Sequence, residues 1–347
     1  MDIRSYYNSF KQQDFVDGIR DAGNQYGYVN SRNDYFAMKS TSQTAIVFDI
    51  DTSTTTLLPQ VKRAAGVSTS GKEHSVTTKA IALAYFKHSD TLTVEDIQGH
   101  RAPQSTDNET LARATAGKLQ DMRRSWDMTN EYLKIQALKG LAKSPDGVTI
   151  FDAFTEFGVS QTTVDFLLGT STTNVDGKIA TLKRGIGTNV KTGGAISGIE
   201  VLVDPTFFDK LVNHPSIVNA YVQYMNSGKQ QMRDDLSSYM QWGIMDVFEH
   251  RGVRFISYDA TFNLPDGTTE AAIASSAGHA YALGVQGLFR GYNGPSAKLS
   301  GANQAGQELY VRTYVDPKDE YVEFELEAAP LYFCSKPASL YKVTSSN

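Results

Sequence analysis

Apolar residues change their spacing several times along the chain, and each change predicts a different element. Through Tyr28-Val29-Asn30-Ser31-Arg32-Asn33-Asp34-Tyr35-Phe36 the leading segment mixes aromatic and polar side chains without a sustained period. That predicts an extended arm with one short helix around Phe10 to Arg20. From Thr44 the pattern turns strand-like: Ala45-Ile46-Val47-Phe48 is an apolar run, Thr52 to Thr56 is rich in threonine, and Leu57-Leu58-Pro59 breaks it. Gln60 to Ala65 and Ser75 to Lys87 read as two extended stretches joined by Gly66-Val67-Ser68-Thr69-Ser70-Gly71, whose glycines and serines suit an exposed turn. Lys62, Arg63, Thr77, Thr78 and Lys79 make this long hairpin too polar for burial within its own subunit.

The clearest element follows. Thr106-Asp107-Asn108-Glu109 has capping-box spacing, in which side chains satisfy free amides at a helix start. Leu111, Leu119, Met122, Trp126, Leu133, Ala137 and Leu141 then trace one helical face, while Lys118, Asp121, Arg123, Arg124, Asp127, Glu131 and Lys134 fall mostly off it. Ser144-Pro145-Asp146-Gly147 ends the run in turn chemistry. A helix of about 33 residues reaches roughly 50 Å. That length suits a subunit spanning a distance across an assembly, although bundles and coiled coils use such helices too.

Beyond it, elements alternate. Val148 to Phe154 and Thr162 to Leu168 read as strands, Asn174 to Arg184 as a helix, and Gly198 to Val203 as a strand. Asp204 is a good cap before Pro205 and a helical Thr206 to Val212. His214 to Met225 and Gln230 to Trp242 read as helices; Phe255 to Tyr258, Tyr281 to Val285 and Leu309 to Val315 read as strands. In Glu320 to Val343 the run Tyr321-Val322-Glu323-Phe324-Glu325-Leu326-Glu327 sets glutamates against apolar residues, the alternation of a half-exposed strand. The fold class is α+β.

Composition narrows the function. A chain of 347 residues exceeds one typical core, so more than one structural region is expected. The longest apolar run, Ala80 to Phe86, is too short to cross a bilayer, and Met1-Asp2-Ile3-Arg4-Ser5-Tyr6-Tyr7 has no signal-peptide core, so cytoplasmic synthesis without a membrane partner is expected. Acidic residues outnumber basic ones 38 to 33, giving a net charge of -5 with no dense basic stripe. Contact with DNA is therefore expected to be weak and non-specific. The single cysteine, Cys334, excludes a disulfide framework and reads as a buried strand residue.

Two segments imitate catalytic motifs. Gly66 to Lys72 has the glycine and lysine spacing of a phosphate-binding loop, but Glu73 stands where a magnesium-binding Ser or Thr is needed. Ala45-Ile46-Val47-Phe48-Asp49-Ile50-Asp51-Thr52-Ser53 resembles the first motif of haloacid-dehalogenase phosphatases, which makes a phosphohydrolase using Asp49 and Asp51 the alternative reading. Asp234-Asp235, within a predicted helix, is poorly placed to supply the acidic pair such enzymes use to hold magnesium. His74, His88, His100, His214, His250 and His279 show no metal-ligand spacing, and no Gly-x-Ser-x-Gly elbow occurs. No catalytic residue, cofactor or metal site is expected.

Arm, polar hairpin, long helix and closing strand, in that order, resemble the lambda protein E family of tailed-bacteriophage major capsid proteins, which has the Hong Kong 97-type capsid fold. Arg63 to Lys87 resembles the family's extended loop, and Leu92-Thr93-Val94-Glu95-Asp96 the acidic turn before its spine helix. Ala137-Leu138-Lys139-Gly140 resembles the helix end, Val203-Asp204-Pro205 a turn of the axial domain, and Glu323-Phe324-Glu325 with Ala329-Pro330-Leu331 the closing strand.

The resemblance implies an N-terminal arm (1–44), an extended loop and its base (45–98), a peripheral domain with the spine helix (99–160), an axial domain (161–308) and return strands (309–347). It further implies self-assembly through hexamers and pentamers into an icosahedral shell around double-stranded DNA, part of the virion and assembled in the host bacterial cytoplasm. A separate scaffolding protein, a portal protein and a decoration protein are the partners to consider, and a tail-tube protein is a further alternative. Candidate inter-subunit contacts are Lys62, Arg63, Ser68, Thr69, Ser70, Lys72 and Lys79 on the hairpin and Tyr28, Tyr35 and Phe36 on the arm.

Overall fold

The computed structural model describes residues 27–32, 34–51, 76–98, 107–190, 195–219, 246–318 and 320–347. In chain order the elements used below are α1 (Tyr28–Ser31), β1 (Phe36–Ser40), β2 (Ala45–Asp51), β3 (Val76–Ala82), β4 (Phe86–Thr93), α2 (Val94–Gln98) and α3 (Asp107–Leu138). Next come β5 (Leu141–Lys143), β6 (Thr149–Asp152), α4 (Ala153–Glu156), β7 (Thr162–Asp165), α5 (Val175–Val190), β8 (Gly198–Val203) and α6 (Pro205–Val212). The remainder are β9 (Val247–His250), β10 (Val253–Ser257), β11 (Thr261–Asn263), β12 (Thr269–Ala271), β13 (Ala277–Leu283), β14 (Phe289–Asn293), β15 (Tyr310–Val315), β16 (Tyr321–Ala328), β17 (Pro330–Cys334) and β18 (Tyr341–Thr344).

Helix α3 forms because its apolar residues recur at helical spacing, and their stripe selects its partner. Leu111, Leu119, Met122 and Trp126 share one core with Val311 of β15, Val322, Phe324 and Leu326 of β16, and Leu92 of β4, the three strands of the sheet β15-β16-β4. Alternation puts these strand residues on one face. Gly140 stops the helix with φ +92 while its amide bonds Ala137 O at 3.0 Å. A Cβ there would lie 2.5 Å from Phe154, so no other residue fits the turn without movement.

A six-stranded sheet, β7-β18-β13-β8-β10-β9, carries the second and largest core. Ile179, Leu182 and Ile186 of α5 and Phe207 and Leu211 of α6 are buried with Val201, Val203 and Phe255 of the sheet. Asp204 caps α6 as expected, accepting from Thr206 N at 3.0 Å ahead of Pro205. Strands β1, β14 and β17 form a smaller sheet that carries Phe36 into the main core, where its ring meets Tyr332 at 5.1 Å.

Several expectations need correcting. Ser75 to Lys87 is not one extended stretch: β3 ends at Ala82, and Phe86 begins β4, which pairs with β16 instead. The strand facing β3 is β2, in the register Ala45↔Ala82 to Asp51↔Val76. Within Val148 to Phe154 the strand stops at Asp152, whose carboxylate accepts from Phe154 N and turns the chain into α4. Two of the three glutamates of β16 do not face solvent, for Glu325 and Glu327 are only 3% and 1% exposed, while Glu323 is half-buried. Glu131 and Asp127 are likewise buried, and the last turns of α3, from Asn130 to Leu138, are enclosed nearly all round. The short helix near Phe10, the cap at Thr106, the strand Gln60 to Ala65 and the helix Gln230 to Trp242 lie outside the described residues.

Candidate functional site

Of the hairpin candidates, Lys62, Arg63, Ser68, Thr69, Ser70 and Lys72 lie outside the described residues. Lys79 is described, on β3, where its amine pairs with Glu156 of α4 at 2.8 Å. The base of the hairpin rests on aromatic rings: Phe48 stacks on Phe157 at 6.2 Å and on Phe333 at 5.5 Å, while Ile46 and Ile81 are buried beside Phe151. Its opposite face carries Val47, 60% exposed, with Ala80 and Ala82 also exposed. The ribbon is therefore fixed on one side and bare on the other.

The arm candidates Tyr28, Tyr35 and Phe36 are corrected by burial, at 4%, 6% and 5% exposure within their own chain. Tyr35 OH and Tyr28 OH both donate to Glu200 of β8, the latter at 3.3 Å, and Tyr281 OH donates to Tyr35 OH at 3.4 Å. Arg254 of β10 reaches Glu200 at 2.9 Å and Arg32 reaches it at 3.5 Å, with the Arg32 guanidinium 4.8 Å above the Tyr35 ring. Burial pushes the Tyr28 and Tyr35 phenols above their ordinary range, and the Glu200 charge adds to it, so both remain donors at neutral pH.

A second carboxylate holds the same segment from the other side. Glu131 of α3, with no exposed surface, accepts from Val29 N at 2.9 Å, Asn30 N at 2.7 Å and Tyr258 OH at 2.9 Å. Asn30 Nδ2 also donates to Asp127 O at 2.8 Å. Burial raises the Glu131 carboxyl above its usual range, opposed by these donated hydrogen bonds. Residues 28–35 thus join the long helix to the six-stranded sheet. Sequence reading missed Glu131, Glu200, Arg254 and Tyr258. One signal was present: in Asn130 to Leu138 apolar residues surround the helix, which marks a buried segment.

On β16, Glu325 and Glu327 form a charged ladder with cations from three other segments. Lys298 reaches Glu325 at 2.9 Å, Lys87 of β4 pairs with Glu325 at 2.5 Å, and Arg312 of β15 pairs with Glu327 at 2.8 Å. Burial works against ionisation of Glu325, but Lys87 and Lys298 outweigh it and hold its carboxyl below the usual range. These carboxylates are taken up by cations of their own chain, which suits rigidity.

Of the residues of the hydrolase alternative, Asp234 and Asp235 lie outside the described residues. Asp49 is exposed on β2 and accepts from Thr78 Oγ1 at 2.7 Å across the ribbon. Among the described residues no group of three or more His, Cys, Asp or Glu side chains could hold a metal ion, and no helix is long and apolar enough to cross a membrane.

Comparison with known proteins agrees with this picture of a structural subunit. The model of the family described as Phage major capsid protein E matches residues 16–345. The major capsid protein of Salmonella phage Felix O1 (isolate Felix O1-VT1) is 31% identical over 350 residues, covering 95% of each chain. That of Pseudomonas phage KPP10 is 28% identical over 332 residues, covering 94% of each. Among solved structures, a prophage protein of E. coli CFT073 assigned to the capsid superposes with a TM-score of 0.61 at 10% identity, covering 96% of this chain and 99% of the other. The mature capsid of bacteriophage PhiM1 gives 0.53 at 14% identity, covering 94% and 90%.

Proposed function

The chain belongs to the phage major capsid protein E family, and from that premise we propose how its parts divide the work of building a shell. It is a structural protein of the virion, with the Hong Kong 97-type fold, and it is not an enzyme. Copies of it form the head shell.

The proposed division has five parts. Residues 45–98 form the extended loop and its base, 99–160 the peripheral domain with α3 as spine, 161–308 the axial domain and 309–347 the return strands. Residues 1–44 are the proposed arm, of which Tyr28, Tyr35 and Phe36 are buried in their own subunit. Hexamers and pentamers are the proposed capsomers, with the loop of each copy laid on a neighbour through Lys62, Arg63, Ser68, Thr69, Ser70, Lys72 and the flank of Lys79. One observation carries this: the β2–β3 ribbon is held to its own subunit on one face, by Phe48, Ile46 and Ile81 and by the Lys79–Glu156 pair, leaving Val47, Ala80 and Ala82 uncovered. Such a surface becomes favourable to order once a partner covers it.

A separate scaffolding protein, a portal protein and a decoration protein are proposed partners, and assembly is proposed to take place in the host cytoplasm. DNA is proposed to be held only weakly, in keeping with the net charge of -5. Recombinant protein, alone or with its scaffold, is expected to form closed shells, tubes or capsomers in electron micrographs and sedimentation runs. A compact monomer under every assembly condition would refute the reading, and stacked rings would favour a tail-tube component.

A further inference from the structure

The segment α1 has four residues, far too few to persist as a helix by its own hydrogen bonds. Its first amides need acceptors, yet Gly27 before it offers no side chain and makes no capping bond. The acceptors come from Glu131, about a hundred residues away in the chain: Oε1 takes Val29 N and Oε2 takes Asn30 N. Tyr258 OH fixes Oε1 from the sheet side, and no ion pair to Glu131 occurs among the described residues. A carboxylate this buried, on which Lys134 acts only from beyond ion-pair distance, is costly, so its position calls for a gain that only a carboxylate supplies. That gain is two acceptor oxygens facing two backbone donors. A glutamine fills the same space without charge but turns an NH2 toward one of those donors.

We propose that Glu131 is a positioning residue for assembly: by capping α1 from the long helix, it fixes residues 27–32 against the subunit, and assembly into regular shells depends on that fixing. Glu200 secures the far side of the same segment through Tyr28, Arg32 and Tyr35. The link to assembly rests on the shell function above. The capping itself does not.

The test uses the full chain and two isosteric variants. Glu131→Gln loses one cap acceptor. Glu270→Gln loses a comparable helix-to-sheet tie, because Glu270 accepts from Tyr132 OH at 3.1 Å, Gln136 Nε2 at 3.2 Å and Lys143 Nζ at 3.3 Å without touching the arm. Trypsin cleavage after Arg32 reads release of the segment, and electron microscopy reads assembly. Glu131→Gln is expected to be cut at Arg32 about tenfold faster than the unaltered chain, as loss of a cap and local opening imply, and to give irregular particles. Glu270→Gln is expected to melt at lower temperature with Arg32 still protected and its particles regular.

Should Glu131→Gln not fold, Tyr258→Phe removes one of the three donors and is expected to give a smaller acceleration of the same cut. Protected Arg32 with regular shells in Glu131→Gln, or equal exposure of Arg32 in Glu270→Gln, would overturn the proposal. If the unaltered chain never assembles, the shell reading fails while the cleavage result still reports on the cap.

Discussion

His279 shows what burial does to one titrating group. It lies on β13 opposite Lys342 of β18, and its Nδ1 has no hydrogen-bond partner among the described residues. Burial, with Lys139 and Lys342 adding to it, pushes its imidazolium down to about 3. Because the folded value lies below the unfolded value of about 6.5, the neutral ring favours the fold above pH 6.5, and that contribution is lost as pH falls toward 3. Urea melts between pH 7 and pH 4 are expected to show a loss on the order of 3 kcal/mol from this group, and His279→Gln is expected to remove most of it. An unchanged acid slope in the variant would show that the ring is not the titrating group. Cys334 follows the same logic without consequence for assembly: burial pushes its thiol up to about 12, which leaves it inert at neutral pH.

At the scale of elements, β16 is set between an apolar core and an ionic one. Val322, Phe324 and Leu326 meet α3, while Glu325 and Glu327 meet Lys87, Lys298 and Arg312. Removing one member of a buried pair strands the other, so Glu327→Ala is expected to cost about 3 kcal/mol in a denaturant melt, whereas Glu327→Leu with Arg312→Leu is expected to cost less than that single change. A double variant weaker than the single would contradict the ladder. The same strand shows what the sequence could tell. Alternation revealed β16 and which residues share a face, and the three-to-four spacing revealed α3, although it carried the helix on to Leu141, which begins β5 three residues past the observed end at Leu138. Neither pattern says what lies opposite. Glu325 reads as solvent-facing until Lys87 and Lys298 arrive from distant segments, and Glu131 reads as surface until Val29 and Tyr258 close over it. Nor does alternation name β2 as a partner of β3, which the buried contacts of Ile46, Phe48 and Ile81 select.

For the whole molecule, the spine and the closing strand were legible because each is a long local pattern, while the burial of Tyr28, Tyr35 and Phe36 was not, because it depends on two carboxylates remote in sequence. The division of labour that follows can be tested at the loop. Asp51 and Val76 are directly paired in register, so a two-residue Asn-Gly turn can join them in place of residues 52–75. The base should survive, since Phe48 keeps its stacking on Phe157 and Phe333 and Ile46 and Ile81 stay buried. Shortening the closed loop lowers its entropic cost by about 2 kcal/mol, so the isolated subunit is expected to melt at an equal or slightly higher temperature. Assembly should respond oppositely, because Lys62, Arg63, Ser68, Thr69, Ser70 and Lys72 are all removed. Circular dichroism and calorimetry on the subunit, with sedimentation under assembly conditions, separate the two effects. A subunit that keeps its melting temperature but forms no shells places the loop's role between copies. Regular shells from the shortened chain would move that role elsewhere on the surface.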